Sequence, residues 1–233
     1  MEISDVITQI DQARASIYRN REIIISMHPD WKKNDARITA FSKCLHILNT
    51  TKLGLMLGID SLKPERNEWW KEYYDTELDL PFTGVQYLNQ FDIILRLGFI
   101  QFIFAAIEST FRPILKAIDP KACSGGTNSF ANIYCCLLKI LNLFEKWEPL
   151  LELLRHSRNS VHNNSVFLPP SQKDACVNYN GKQYIFKVGS KVDFLGWELL
   201  IGFLNDIEKM LIEVINNPQV LSLSFIDDPS IKV

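Results

Sequence analysis

The sequence contains few of the patterns that mark common catalytic or cofactor-binding proteins. Gly125 and Gly126 are adjacent, yet neither the GxxxxGK[ST] nor the GxGxxG phosphate loop surrounds them. The metal-binding HExxH pattern and the GxSxG nucleophile pattern do not occur either. These absences argue against a P-loop nucleotide hydrolase, a dinucleotide-dependent oxidoreductase, a zinc protease and a serine hydrolase.

The cysteines likewise give no metal or disulfide pattern. Their number is odd, and no two have the C-x-x-C spacing of a zinc or redox site: Cys44, Cys123, Cys135, Cys136 and Cys176. We therefore expect free thiols, buried or partly buried, in a reducing cytosol. No metal and no cofactor is predicted.

Neither sign of charge is in large excess. The 233 residues include 25 Lys and Arg against 27 Asp and Glu, which gives a net charge of −2. This balance excludes a protein that coats nucleic acid by bulk charge, because such binding needs many cationic contacts to phosphate. Any chemistry on RNA or nucleotides would have to be local.

Long apolar runs are also scarce. The first residues are acidic and lack the apolar centre of a secretory signal. The most apolar stretch lies between Arg96 and Glu108, and its roughly eleven residues are fewer than the ~20 that a membrane span needs. We expect a cytoplasmic protein without a membrane partner.

What the sequence does contain is helical periodicity along most of its length. The predicted helices are Ile3–Met27, Asp35–Leu57 (ending at Gly58), Glu65–Tyr74, Val85–Ile118 (kinked or restarted at Pro113), Ser129–Glu145, Trp147–Asn163 (with Pro149 in its first turn) and Asp193–Ile215. The residues from Cys123 to Asn128 are predicted as a turn.

Strand signals are confined to the last third of the chain. Asn180-Gly181, flanked by Ala175–Tyr179 and Lys182–Val188, predicts a type I′ hairpin, and Val220–Ile226 is predicted as an extended strand. The expected fold class is all-α: an up-and-down helical bundle with a small β-hairpin inserted before the last long helix. We expect a single domain, in which residues 1–80 form a helical extension and residues 85–215 a bundle with a hairpin at 174–188.

The densest polar cluster lies between Leu154 and Asn164. On a helix, Arg155, Arg158 and His162 are spaced i, i+3 and i+7 and share one face, with Asn159 beside them. Guanidinium groups are permanent donors for a phosphate, and an imidazole can exchange a proton near neutral pH. His156 and Asn163 are supporting candidates. The alternative is a solvated helix end, because cations there complement the helix dipole.

These residues resemble the R-x(4–6)-H signature of the HEPN superfamily. Arg158-Asn-Ser-Val-His162-Asn-Asn is similar to the R-N-x-x-H-N-N form of bacterial members, and the hairpin after it resembles the segment that comes after the motif in those proteins. Glu108 and Arg112 resemble an acidic and basic pair on an earlier helix of such bundles. Three residues separate Arg158 from His162 and six separate Arg155 from it, so either arginine can be the functional one.

The resemblance implies a metal-independent endoribonuclease that acts as a homodimer. Two motifs would face each other across the dimer axis, with His162 acting on the ribose 2′-OH and Arg155 or Arg158 stabilising the phosphorane. The product would be a 2′,3′-cyclic phosphate, and many members act as toxins or defence effectors with a partner protein or antitoxin. Two alternatives stay open: a HEPN-like module that binds RNA or nucleotide without catalysis, and a helical interaction protein.

Overall fold

The structure is a computed structural model that describes residues 3–61, 84–122 and 129–231. The predicted helix Glu65–Tyr74 and the predicted turn from Cys123 to Asn128 lie outside these residues. The described part is mostly helical and includes one two-stranded antiparallel sheet. Its elements are α1 (Ile3–Met27), α2 (Ala36–Ser61), α3 (Gly84–Ile118), α4 (Phe130–Ile140), α5 (Phe144–Val161), β1 (Ala175–Tyr179), β2 (Lys182–Phe186), α6 (Trp197–Ile215) and α7 (Pro218–Leu221).

Apolar side chains from α1 through α6 and from the hairpin form one hydrophobic cluster. In sequence order, α1 packs on α2, α2 on α3, and α3 on α4 and α5, while α6 packs on α1, α2, α3 and α5. Because α5 contacts both α3 and α4, one side of it is fixed by the core. Polar groups on the other side of α5 can then lie where α3, α4 and α5 meet.

The contact between α2 and α3 corrects the prediction that α2 ends at Gly58. The helix runs on to Ser61 because Gly58 packs against α3 and does not stop the helix. A Cβ atom at Gly58 would lie 2.7 Å from Cε1 of Phe91, and one at Gly54 would lie 2.8 Å from Cδ2 of Leu95. The two glycines therefore allow a close approach of two helices, at some cost in helix propensity.

The boundary between α4 and α5 also differs from the prediction. The helix predicted to run to Glu145 ends at Ile140, and the next begins at Phe144. Asn142 has a φ of 58°, and the amide of Leu143 donates to the carbonyl oxygen of Leu138 at 2.8 Å. This is a Schellman motif with asparagine in the position that glycine usually occupies.

Because α5 begins earlier than predicted, Pro149 does not lie in its first turn. It is the sixth residue of the helix, so its missing N–H does remove a hydrogen bond to Glu145. In α3 the helix continues through Pro113 without a restart.

The Schellman motif gives a stability prediction. Replacing Asn142 with valine should lower the free energy of unfolding by about 1–2 kcal/mol, because a β-branched residue is strained at positive φ. Replacing it with glycine should leave stability unchanged or raise it. Urea unfolding of both variants checks this, and a valine variant as stable as the parent would contradict it.

The hairpin is confirmed, but the segments after it are not as predicted. Asn180 and Gly181 have φ values of 50° and 75°, as a type I′ turn requires, and Val177 pairs with Tyr184 in the antiparallel register. The last long helix begins at Trp197 and not at Asp193. Before it, Val192 is held in a non-helical segment by its amide, which donates to the carbonyl oxygen of Ser165 at 2.7 Å.

The strand predicted at Val220–Ile226 is wrong. That segment begins with the short helix α7 and then folds over the start of α2. It is held there by Arg37, which is fully buried and forms an ion pair with Asp35 at 2.7 Å. Nη1 of Arg37 donates to the carbonyl oxygens of Val220, at 3.0 Å, and Leu223, at 2.8 Å. A buried guanidinium thus satisfies backbone groups that a neighbouring strand would satisfy in a sheet.

One described helix is long and apolar enough to cross a membrane by length and composition. This stretch, Asn89–Ile118 of α3, has a mean hydropathy of 1.6. The sequence prediction of about eleven apolar residues between Arg96 and Glu108 therefore underestimated the length of this apolar helix. Core helices of soluble proteins pass the same test, so the finding is weak evidence for a membrane span.

The four described cysteines are free thiols. Cys44 is buried, and burial is the main cause that raises the pKa of its thiol to about 12. Cys136 and Cys176 are exposed, which corrects the expectation that the thiols would be buried. Exposure arises because the residues lie on the outer sides of α4 and β1.

Candidate functional site

Three helices enclose a cleft of about 330 Å³ beside α5. Its walls come from α3, from the first turn of α4 and from α5: Phe104, Glu108, Ser129, Phe130, Ala131, Arg155, Arg158 and Asn159. Four of the predicted site residues, Glu108, Arg155, Arg158 and Asn159, are therefore brought together. The helical spacing i, i+3 and i+4 places the last three on one side of α5.

Arg155 is held by an acidic residue one turn before it. Its Nε donates to Oε1 of Glu152 at 3.1 Å, and its Nη2 donates to Oε2 of the same carboxylate at 2.5 Å. The hydroxyl of the fully buried Tyr134, on α4, donates to this carboxylate as well. Arg155 is thus one member of a partly buried network whose centre is Glu152.

The pKa values of this network follow from burial and hydrogen bonding. Burial acts to raise the pKa of Glu152, but hydrogen bonds from His156, Arg155 and Tyr134 outweigh it and lower that pKa to about 2. Burial, and then the hydrogen bond to Glu152, raise the pKa of the Tyr134 hydroxyl. Glu152 is therefore a carboxylate at any physiological pH, and Tyr134 is a neutral donor.

His156 belongs to the same network and does not line the cleft. Its Nε2 lies 3.0 Å from Nη2 of Arg155 and 3.2 Å from Oε2 of Glu152. The residue is only 8% exposed, and its ring packs against Phe167 and Phe186, with centroids 5.3 and 5.1 Å away. The expectation that His156 supports ligand binding directly is not matched by its position, because the chain after α5 covers it.

Arg158 is in a different situation from Arg155. Its guanidinium lies over the ring of Phe104 at 4.8 Å, and its Nη1 donates to Oδ1 of Asn159 at 3.3 Å. Among the described residues it has no ion-pair partner, and its Nε is buried without an acceptor. The aromatic face and the carboxamide orient this cation, and no carboxylate in the described part of the chain forms an ion pair with it.

Glu108 and Arg112 pair with each other on α3. They are four residues apart, and the guanidinium of Arg112 donates to the carboxylate of Glu108. Glu108 lines the cleft, whereas Arg112 is not among the lining residues. The acidic group at the cleft is therefore already compensated by a neighbouring cation.

His162 and Asn163 lie beyond the cleft, where α5 ends. His162 is the C-cap of the helix and is exposed, and it does not line the cleft. Asn163 is exposed too, and its Nδ2 donates to the backbone oxygen of Asn159 at 3.3 Å. The predicted face that joins Arg155, Arg158 and His162 thus divides into a cleft and an exposed end.

Several residues of the site were missed by sequence reasoning. Glu152 and Tyr134 organise the network, and the first turn of α4 closes one side of the cleft. The spacing of Glu152 and Arg155, i and i+3 on a helix, was a usable signal for their ion pair. Tyr134 and the first turn of α4 gave no such signal, because tertiary packing alone brings α4 beside α5.

Among the residues that the structure describes, no group of three His, Cys, Asp or Glu side chains is placed to hold a metal ion. Comparison of the chain with protein-family models, with curated proteins and with solved structures found no match in any of the three.

Proposed function

We propose that the protein is a metal-independent endoribonuclease of HEPN type that acts as a homodimer. The observation that supports this best is the convergence of Arg155, Arg158 and Asn159 on one cleft, along a helix that ends at an exposed histidine. Guanidinium groups bind phosphate oxygens and stabilise the charge of a phosphorane. An exposed imidazole can exchange protons with the ribose and the leaving group.

In the proposed reaction, His162 accepts the proton of a ribose 2′-OH while that oxygen attacks the adjacent phosphorus. The bond from phosphorus to the 5′ oxygen breaks, and His162 of the second protomer gives that oxygen a proton. The products are a 2′,3′-cyclic phosphate end and a 5′-hydroxyl end. DNA is not a substrate, since it lacks the 2′-OH.

The homodimer is part of the proposal because His162 lies outside the cleft of its own chain. A two-fold axis near the end of α5 would bring two such histidines together and join two clefts into one composite site. The proposed fold is an up-and-down helical bundle of the HEPN kind with an inserted hairpin. A role as a toxin or defence effector, with a partner protein or antitoxin, would fit this activity.

The test is incubation of the purified protein with total RNA in the presence of EDTA. The parent should cleave RNA and leave 2′,3′-cyclic phosphate ends, and His162→Ala should lose at least about 100-fold in rate, the usual weight of a general acid or base. His46→Ala, which removes an exposed histidine of α2, is the matched control and should cleave as the parent does. Equal cleavage by the parent and His162→Ala would reject the proposal.

A second candidate function is binding of RNA or nucleotide without cleavage. It is favoured by one observation, that the cleft contains guanidinium and carboxamide groups but no imidazole. In this case the parent should bind single-stranded RNA, leave it intact, and bind it equally well after His162→Ala. Cleavage by the parent that disappears in His162→Ala would exclude this candidate.

A further inference from the structure

We infer that the cleft holds one phosphate group between Arg158 and the first turn of α4, and that Arg155 is a positioning residue for this site. The inference rests on the proposed function in that the cleft is taken as the substrate site. It adds which arginine meets the anion and which backbone groups help it. The phosphate can belong to an RNA backbone or to a free nucleotide, since both present the same oxygens.

The charges around the cleft single out Arg158. The cation of Arg155 is matched by the carboxylate of Glu152, and the carboxylate of Glu108 is matched by Arg112. Arg158 alone, among the described residues lining the cleft, is charged and has no ion-pair partner. The cleft thus carries one uncompensated positive charge in a partly buried position, where an anion is held more strongly than at an open surface.

The geometry of Arg158 also fits a preformed anion site. Phe104 supports one face of its guanidinium, and Asn159 accepts a hydrogen bond from its Nη1. Because its Nε is buried without an acceptor, the side chain is held in this place at a cost in stability. Such a cost is expected where a residue is kept for binding and not for folding.

The start of α4 contributes a second set of donors to the same cleft. Ser129 caps this helix of eleven residues, and its hydroxyl accepts from the amide of Asn132 at 3.3 Å. The amides of Phe130 and Ala131 have no intrahelical acceptor, because the first turn of a helix never supplies one. Ser129, Phe130 and Ala131 line the same cleft as Arg158, and the helix dipole there favours negative charge.

Arg155, in contrast to Arg158, is already paired with a carboxylate. Two of its nitrogen atoms donate to Glu152, and Nη2 also lies 3.0 Å from Nε2 of His156. Removing it would leave the partly buried carboxylate of Glu152 without its cation, so its loss should act on stability first. Its position on the wall of the cleft then shapes the site without supplying the uncompensated charge.

The test is isothermal titration of the full chain with inorganic phosphate, adenosine 5′-monophosphate, adenosine and a single-stranded RNA oligonucleotide. Arg158→Gln should weaken binding of the phosphate-containing ligands at least about tenfold, the weight of one charged hydrogen-bond set. Arg158→Lys should recover part of the loss, because it keeps the charge without the planar fork. The matched control is Arg19→Gln, which removes an exposed arginine of α1 and should bind phosphate as the parent does.

We expect Arg155→Gln to lower the melting temperature clearly and Arg158→Gln to leave it nearly unchanged. Equal phosphate affinity in the parent and Arg158→Gln would overturn the inference, as would equal binding of adenosine and its monophosphate. Arg158-dependent binding of the monophosphate indicates a free nucleotide, and Arg158-dependent binding of the oligonucleotide alone indicates an RNA backbone; both support the site.

Failure of this inference can be told apart from failure of the proposed function. Arg158-dependent phosphate binding in a protein that never cleaves RNA supports the site and rejects the enzyme. His162-dependent cleavage with phosphate affinity unchanged in Arg158→Gln supports the enzyme and rejects the site. The slope of log affinity against log salt for the RNA oligonucleotide should also fall by about 0.7 in Arg158→Gln, the value for one lost phosphate contact on a single strand.

Discussion

Replacing Arg37 with methionine should lower the free energy of unfolding by about 3–5 kcal/mol, the usual cost of breaking a buried ion pair by removing one partner. Arg37 and Asp35 are both fully buried, so the carboxylate would remain in the interior without its cation. The carbonyl oxygens of Val220 and Leu223 would lose their donor too. Urea unfolding followed by circular dichroism measures the change.

The double variant Asp35→Asn with Arg37→Met is the control for this prediction. It removes the unpaired charge but keeps a side-chain oxygen at position 35, where Oδ1 accepts from the amide of residue 37 at 3.0 Å. We expect it to recover part of the lost stability, since the largest cost in the single variant is the lone carboxylate. A single variant within about 1 kcal/mol of the parent, on the order of a surface change, would show that the pair is not needed.

Replacing Glu152 with glutamine should destabilise the protein at neutral pH and remove the part of its sensitivity to acid that this carboxyl group causes. The pKa of Glu152 is lowered from 4.5 to about 2 in the folded protein. A carboxyl group with a lowered folded pKa stabilises the fold above its unfolded pKa, and this stability is lost as the pH falls through the folded value. Between pH 4.5 and 2 the parent should therefore lose on the order of 3 kcal/mol from this group.

The measurement is the free energy of unfolding of the parent and Glu152→Gln at several pH values. The two should differ most at pH 7 and converge towards pH 2, because the parent then carries a neutral side chain as well. Glu145→Gln, in the exposed first turn of the same helix, is the matched control and should follow the parent at every pH. A difference that stays constant from pH 7 to pH 2 would contradict the assignment of this titration to Glu152.

Local sequence patterns correctly predicted the elements whose conformation depends on residues close to one another in the sequence. The spacing of apolar residues gave the bounds of α1, and Asn180-Gly181 gave the hairpin with its positive φ angles. The break at Asn142 was missed because asparagine tolerates the left-handed region without requiring it. Gly58 was misread because a glycine at a close helix contact looks the same in sequence as one that ends a helix.

Part of the candidate site was also predicted from the sequence. Helical spacing alone placed Arg155, Arg158 and Asn159 on one wall of the cleft. The same spacing offered the pair of Glu152 and Arg155, which the sequence analysis overlooked. It could not show that Arg158 has no such partner among the described residues, nor that the chain after α5 covers His156. Those distinctions depend on the tertiary contacts of α4 and of the hairpin with α5, which the spacing along one helix does not encode.

The burial of Arg37 also sets an order for folding. The guanidinium and its acceptor at Val220 are 183 residues apart in the chain. A nascent polypeptide that has emerged only as far as α2 would have to keep this charge in water, so the start of α2 cannot reach its final burial until the segment around Val220 has been synthesised. Contacts of such long range are slow to form. Limited proteolysis of stalled ribosome–nascent chain complexes should thus find the start of α2 accessible until the segment around Val220 has been synthesised.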